Sequence, residues 1–269
     1  MRPRNIVGVP ALIAAHDRFL RDIAAFSNSA HLVPRGAGQH IAMALADRLL
    51  QLTRAAHMLA GTGYAAEARP LIRPMVSAAA ALVYVCDRDS DGRSRALIVQ
   101  GYDWLSRHLD DLERLKLITP EQATLYRARL NRNIAEVDSA QAAGLLPVRL
   151  GTDRHGRWHG FATDRAFFRA IDLEDWYVKY YAPNSEESHV TAVALLDSLK
   201  GVQKGFSLIG PRGDDPVETF EASYELNAQA LSQLDLIFKL DRVRDIVELA
   251  QRMKTALQDY ELANAPGSS

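Results

Sequence analysis

Apolar side chains recur at spacings of three and four along most of the chain, which is the pattern of amphipathic α-helices. The first series starts at Pro10, a residue that suits the first position of a helix. Further helices are predicted over residues 39–60, 64–87, 94–116, 120–143, 163–171, 173–182, from 184 or 185 onward, and over 216–262. The predicted fold class is therefore all-α, an irregular multi-helix bundle, with a short β-hairpin near residues 202–210 as the only candidate for strands.

The pattern predicts one helical domain. It covers residues 10–264, after a flexible segment at 1–9 and before a disordered tail at 265–269. A single straight helix over residues 216–262 would reach roughly 70 Å at 1.5 Å per residue, which exceeds a compact domain of this size. We therefore expect a break near residues 239–242 or a protruding end.

Proline marks the start of one helix and a distortion in another. The series Thr119-Pro120-Glu121-Gln122 has a threonine cap, a proline in the first position and a glutamine that can complete a capping box. Pro70 and Pro74 each remove an amide donor from the helix predicted over residues 64–87. That helix should kink at the two prolines or begin at one of them.

Composition narrows the class of protein. Apolar residues make up 48% of the 269, so extensive disorder is not expected. The 32 basic and 33 acidic side chains nearly cancel, whereas proteins that coat nucleic acid or anionic membranes are usually far more basic. Cys86 is the only cysteine, which excludes an internal disulfide. No run of about 18 uncharged apolar residues occurs, so we expect no membrane span and a cytoplasmic location.

Arg73 is the first candidate for a ligand-binding residue. It lies beside the distortion that the two prolines predict, and the apolar stretch at residues 78–85 follows it. A guanidinium in such a place could bind a carboxylate or a phosphate. A structural arginine, paired with a buried acid or with free helix carbonyls, is the alternative, and both remain open.

A second set of candidates surrounds Pro183, which is expected to end a short helix rich in aromatic residues. Asn184 or Ser185 would cap the next helix, with Glu187 completing a capping box. His189 would then lie in the first turn, where the helix dipole disfavours the imidazolium form. Capping alone explains most of these residues without any function.

A neutral imidazole near tyrosine hydroxyls could also act as a general acid or base. We therefore take Tyr181, Ser185 and His189 as candidate catalytic residues, and Tyr180 and Glu186 as candidate ligand-binding residues. Glu186 and His189 have the Glu-x-x-His spacing of helical di-iron sites, but such a site needs two of these pairs and no other histidine has an acid three positions before it. We expect no metal, and the lack of nucleotide-binding signatures predicts no cofactor.

A basic loop supplies the remaining candidates. Arg157, Trp158 and His159 combine cations with an aromatic ring, so they could stack on a base and hold a phosphate. A solvated loop that its tryptophan anchors is the alternative. Arg154 and His159 are also spaced in a way that is similar to helical ribonucleases of the HEPN class (higher eukaryotes and prokaryotes nucleotide-binding), although the same spacing occurs elsewhere in this chain.

Three motifs in order resemble the bacterial domain-of-unknown-function family 5677. They are an Ala-x-x-Leu-hydrophobic-Arg helix at residues 68–76, Trp158-His159-Gly160-Phe161-Ala162-Thr163, and Tyr181-x-x-x-Ser185-x-x-x-His189. The resemblance spans about residues 41–199 and implies a helical fold in which Arg73, Tyr181, Ser185 and His189 converge, with no established activity. The family usually has an acid four residues after the arginine. This chain has Ser77 there, so Arg73 needs another partner.

The leading hypothesis is a binding or regulatory protein of a bacterial stress or phage-defence system, with an anionic small molecule or RNA as its ligand. The first alternative is an RNA-directed hydrolase similar to HEPN ribonucleases, with His189 or His159 as the acid or base. The second is a structural protein that forms a homodimer through its C-terminal helices. The sequence does not decide whether the protein is an enzyme.

Overall fold

The computed structural model describes residues 8–30, 32–142, 159–184 and 215–265. In these ranges it has no strand, and the predicted all-α fold is confirmed. The α-helices are Val9–Ser29 (α1), Ala37–Gly61 (α2), Ala65–Ala68 (α3), Ile72–Asp87 (α4), Ser90–Arg114 (α5), Pro120–Ala142 (α6), Asp164–Ala170 (α7), Glu174–Trp176 (α8), Val217–Phe238 (α9) and Val243–Asn264 (α10). A 3₁₀ turn, Arg69–Leu71, precedes α4, and a π-helical turn, Tyr177–Tyr181, follows α8. The hairpin predicted near 202–210 lies outside the described residues.

The core lies where α2, α4 and α9 pack against one another. The middle of α4 carries four alanines in a row, residues 78–81, all of them buried. Side chains this small let neighbouring helices approach closely, so Leu49 of α2 and Leu226 of α9 are fully buried. On the outside, α1 packs against α10, α10 packs against α9, and α5 packs against α2.

The two prolines divide the predicted helix as expected. α3 ends before the 3₁₀ turn that holds Pro70, and Pro74 occupies the first turn of α4, where an amide has no helical acceptor to lose. By length and composition the whole stretch Ala65–Asp87 could cross a membrane, but 61% of its most apolar window is buried inside the protein. This burial is typical of the central helix of a globular core.

Most predicted helix ends agree with the structure. The capping box forms at the start of α6, where the Gln122 amide donates to Thr119 Oγ1 and the Thr119 amide donates to Gln122 Oε1. The long C-terminal pattern breaks as predicted, because α9 ends at Phe238 and Lys239 adopts a left-handed conformation with φ of 55°. α10 then begins at Val243.

The turn predicted at residues 87–93 is wrong in extent, because α5 already begins at Ser90. The start of α5 packs against the N-terminus of α2, where Asp91 Oδ1 accepts a 2.6 Å hydrogen bond from the Gly38 amide. A Cβ atom at Gly38 would lie 1.8 Å from Ser90 Oγ, so this approach requires glycine. The start of α5 is thus in contact with a residue 53 positions away, which a local pattern does not contain.

Candidate functional site

The π-helical turn positions the tyrosine of the candidate site. The Ala182 amide donates to the Tyr177 carbonyl, five residues earlier, and this widened turn brings the rings of Tyr177 and Tyr181 into a stack at 5.4 Å. Turns of this kind are rare and are frequent at functional sites. The turn lies against α4, the helix that carries Arg73.

Pro183 does not end the helix, so that prediction is wrong. Helical structure continues over residues 182–184 after the widened turn. Asn184 is buried inside it and donates from Nδ2 to the Tyr180 carbonyl at 2.8 Å. Asn184 therefore satisfies a carbonyl of the turn, and the helix that a cap at Asn184 or Ser185 would start lies outside the described residues.

Arg73 and Tyr181 are neighbours, although 108 positions separate them in the chain. Arg73 Nη2 donates to the Tyr181 hydroxyl at 3.4 Å, and the guanidinium carbon lies 5.1 Å from the centre of the Tyr181 ring. Both contacts favour the same placement, since a guanidinium is attracted to the face of an aromatic ring. The two side chains are half-buried.

Asp164 is the acid of this site. The Tyr181 hydroxyl donates to Asp164 Oδ2 at 2.9 Å. Asp164 occupies the first position of α7, which Thr163 caps by accepting from the Ala166 amide at 3.0 Å. A carboxylate is favoured there by the helix dipole. The Asp164 side chain remains 40% exposed, so it can still accept a hydrogen bond from solvent or a ligand.

His159 completes the arrangement. Its Nδ1 accepts from the Phe161 amide at 3.1 Å, so in the neutral ring the proton is on Nε2. Nε2 faces Asp164 Oδ1 at 4.0 Å, and the ring stacks on Phe167 at 4.4 Å. The side chain is only 7% exposed. Arg73, Tyr181, Asp164 and His159 thus form one continuous group, which we name the Arg73 cluster.

The Arg73 cluster lies within the region that comparison with known families identifies. A model described as a family of unknown function, DUF5677, matches residues 39–206, more than half of the chain. The chain belongs to this family. No curated protein and no solved structure matches the chain.

Electrostatics in this DUF5677 member keep the tyrosine protonated. Burial raises the pKa of Tyr181, Arg73 lowers it by donating to the hydroxyl, and the carboxylate of Asp164 raises it. The net direction is upward, so Tyr181 is a neutral hydrogen-bond donor near pH 7. Its hydroxyl can link Arg73 to Asp164, but a protonated tyrosine is a poor nucleophile.

The structure does not bring every candidate residue to the Arg73 cluster. Tyr180 is buried, and its hydroxyl donates to Glu225 of α9 at 2.8 Å, which gives it a place in the core. Lys179 pairs with Glu221 and Glu225 on the same surface of α9. Five other candidates lie outside the described residues: Ser185, Glu186, His189, Arg157 and Trp158.

The hydrogen bond of Ser77 and the role of Asp164 in the cluster were not predicted from the sequence. Ser77, where the family resemblance led us to expect an acid, donates instead to the Arg73 carbonyl at 3.0 Å. Asp164 was missed, although it directly follows the motif that ends in Thr163. An acid in the first turn of a helix is common, so nothing in the sequence marked its carboxylate as a partner of Tyr181.

The structure also contains a buried histidine pair that the sequence did not indicate. His16 of α1 and His57 of α2 face each other with 2.9 Å between their Nδ1 atoms, and the His16 ring stacks on Phe220 at 4.2 Å. His16 is fully buried, and its Nε2 has no hydrogen-bond partner among the described residues. Burial and the neighbouring His57 lower the pKa of His16 to about 3. Burial also lowers the pKa of His57, against the opposing effect of Asp17.

In the part of the chain that the structure describes, neither group is arranged as a metal centre. Among the described residues, no set of three or more histidine, cysteine, aspartate or glutamate side chains could hold a metal ion. The Arg73 cluster offers a cation, a carboxylate, a phenol and an imidazole. These groups can bind polar molecules and transfer protons.

Proposed function

We propose that the Arg73 cluster binds a small molecule that carries a phosphate or carboxylate group together with a hydrogen-bond donor. The observation that carries this proposal is the placement of the Tyr181 hydroxyl between Arg73 and Asp164, at 3.4 and 2.9 Å. Arg73 and Asp164 both contact the Tyr181 hydroxyl, and both are partly exposed to solvent. A ligand could therefore bind to the cation with one group and to the carboxylate with another.

Each member of the cluster has a role in this proposal. The guanidinium of Arg73 would bind the anionic group, for which its planar donors are suited. Asp164 would accept from a hydroxyl or amino group of the same ligand, because 40% of its side chain is exposed. The stacked rings of Tyr177 and Tyr181 add a half-buried apolar surface beside it. Nucleotides combine these three chemical features, so adenosine 5′-monophosphate is the first probe.

The test is a calorimetric titration of the full chain with adenosine 5′-monophosphate and with inorganic phosphate. Replacing Arg73 by glutamine should weaken binding about tenfold or more, since a charge-assisted hydrogen bond contributes about 1.5 kcal/mol or more. Arg88→Gln is the matched control, because Arg88 follows the same helix, is exposed, and pairs only with the adjacent Asp87 in the described structure. Absence of binding at millimolar probe, or equal binding by both variants, would contradict the proposal.

An RNA-directed hydrolase similar to HEPN ribonucleases is the second candidate function. His159 supports it, because the hydrogen bond from the Phe161 amide to Nδ1 fixes the tautomer, and Nε2, which then carries the proton, lies 4.0 Å from Asp164 Oδ1. This reading predicts that the purified protein cleaves a fluorogenic single-stranded RNA and that His159→Ala abolishes the cleavage. It also predicts that expression is toxic to cells and that His159→Ala or His189→Ala relieves the toxicity. Intact RNA, or toxicity unchanged in both variants, would exclude it.

The remaining roles are broader. A place in a bacterial stress or phage-defence system stays a prediction. A homodimer through the C-terminal helices also stays a prediction, and it now rests on α10, because α9 is buried between α2 and α4.

A further inference from the structure

Helices α5 and α6 form an antiparallel hairpin that has a very small core. Among the side chains described between residues 104 and 132, only Leu109, Ala123 and Leu130 are buried. α6 packs against α5 and makes no comparable contact with any other described helix. α5 also packs against α2 and α4, but among the described helices α6 lies on α5 alone, so the outer part of the hairpin is a single layer, whereas a stable helical architecture buries the apolar stripe of each layer against a second one.

The hairpin instead exposes its larger apolar side chains. We name this surface the hairpin face, and its members are Trp104, Leu105, Leu115, Leu117, Leu125 and Tyr126, each between 42% and 67% exposed. Trp104 and His108 are four positions apart, so they lie along one line of α5, and Leu115 directly follows the last residue of that helix. The His108 ring stacks on Trp104 at 4.9 Å and extends this line.

Salt bridges place α6 in register with α5 and neutralise the acids beside this surface. Arg127 of α6 pairs with Asp110 at 2.8 Å and with Glu113 at 2.6 Å. Arg114 pairs with Asp111. Tyr126 directly precedes Arg127, so it flanks the seam between the two helices. Because these carboxylates are already paired, the face has no strong acidic field that would repel an identical surface.

We propose that the hairpin face pairs with the same face of a second copy of this chain, so that two hairpins form a four-helix bundle. The exposed fractions of the six side chains correspond to roughly 600 Å² of apolar surface per copy, close to the ~800 Å² per partner of a standard interface. Two-fold pairing of identical faces closes the assembly at a dimer and gives the outer part of each hairpin a second layer.

The experiment is sedimentation velocity of the full chain over about 1 to 100 μM, the range in which standard-sized interfaces of moderate affinity dissociate. The test variant is Trp104→Ser with Tyr126→Ser. Both side chains are exposed, so the monomer should keep its fold, which the helical circular dichroism signal checks. The matched control is Val243→Ser with Val247→Ser, two valines of similar exposure on the outer face of α10.

The expected result is a dimer for the unchanged chain and for the α10 control, and a monomer for the hairpin variant at the same concentrations. A monomer at every concentration in the unchanged chain would overturn the proposal, and would leave a different protein as the partner of this face. A dimer in both variants would overturn it as well. Loss of the dimer only in the α10 control would place the interface on the C-terminal helix.

Discussion

The Arg73 cluster and the histidine pair are both polar groups assembled from distant parts of the chain, but they differ in how far water reaches the central side chain of each. In the Arg73 cluster, Asp164 is 40% exposed and accepts from Tyr181. In the histidine pair, His16 is fully buried and one of its nitrogens has no partner among the described residues. Similar hydrogen-bond distances, 2.9 Å in each case, therefore accompany different solvation of Asp164 and His16.

This difference suits the Arg73 cluster to ligand binding and makes the histidine pair sensitive to pH. A partly exposed charged group keeps its ionisation and can exchange water for a ligand at little cost. A buried imidazolium cannot be hydrated as it is in the unfolded chain, so protonation of a buried imidazole opposes folding. Two Nδ1 atoms at 2.9 Å also require one donor and one acceptor, so a second proton would disrupt the contact between α1 and α2.

The largest effect should come from acid. The pKa of His16 is about 3 in the folded protein, below the ordinary value of 6.5 that the unfolded chain keeps. The unfolded state therefore binds the proton more readily, and stability that is complete above pH 6.5 is lost as the pH falls toward 3. Between pH 7 and pH 4 this group alone should lower the free energy of unfolding by about 3 kcal/mol.

Urea unfolding at both pH values measures this loss. His16→Leu should be less sensitive to acid than the unchanged chain, because an apolar side chain of similar size cannot titrate. His40→Gln is the control, since His40 is exposed. If the unchanged chain and His16→Leu lose the same free energy between pH 7 and pH 4, the histidine pair does not cause the acid sensitivity.

A smaller effect is expected in the Arg73 cluster. Tyr181→Phe removes the hydroxyl that joins Arg73 to Asp164, and the half-buried partners can hydrogen-bond to water instead. The free energy of unfolding at pH 7 should fall by about 1 kcal/mol. Tyr177→Phe is matched in size and stacks on the same ring, but its hydroxyl makes no hydrogen bond in the described structure, so its effect should be close to zero. Equal losses in both variants would mean that ring packing, and not the link, matters.

The two regions also differ in how far the sequence could predict them. Helix periodicity, the capping box at Thr119 and the break after Phe238 are local features, and local propensity decided them. The start of α5 includes a hydrogen bond from the Gly38 amide to Asp91, which no local pattern contains. Pro183 was predicted to end a helix because a regular α-helix cannot accept it, whereas the chain widens the turn before it.

The same limit applies to the sites. The family resemblance placed Arg73 and Tyr181 in one site, and the structure brings these two together. Asp164 had a sufficient local role at the start of α7, so its contact with Tyr181 was invisible. His16 and His57 each fit an amphipathic helix, and only the packing of α1, α2 and Phe220 makes them a pair.

The smallest effect on stability is expected for Ser77→Glu, which offers Arg73 a new acidic partner. Ser77→Glu puts an acid four residues after Arg73, where an ion pair on an exposed helix surface contributes about 0.3 kcal/mol. With the arginine on the N-terminal side the orientation is the weaker one, so unfolding should hardly change. The new carboxylate would nevertheless compete with Tyr181 and with an anionic ligand for the guanidinium.

Ser77→Glu should therefore weaken the binding of adenosine 5′-monophosphate several-fold, whereas Ser77→Gln, which has the same size and no charge, should not. Calorimetric titration of both variants distinguishes charge from bulk. Equal affinity in the two would mean that Arg73 does not bind the phosphate. A loss confined to the glutamate variant would mean that an acid at this position and an anionic ligand exclude each other, and that the serine keeps Arg73 accessible to the ligand.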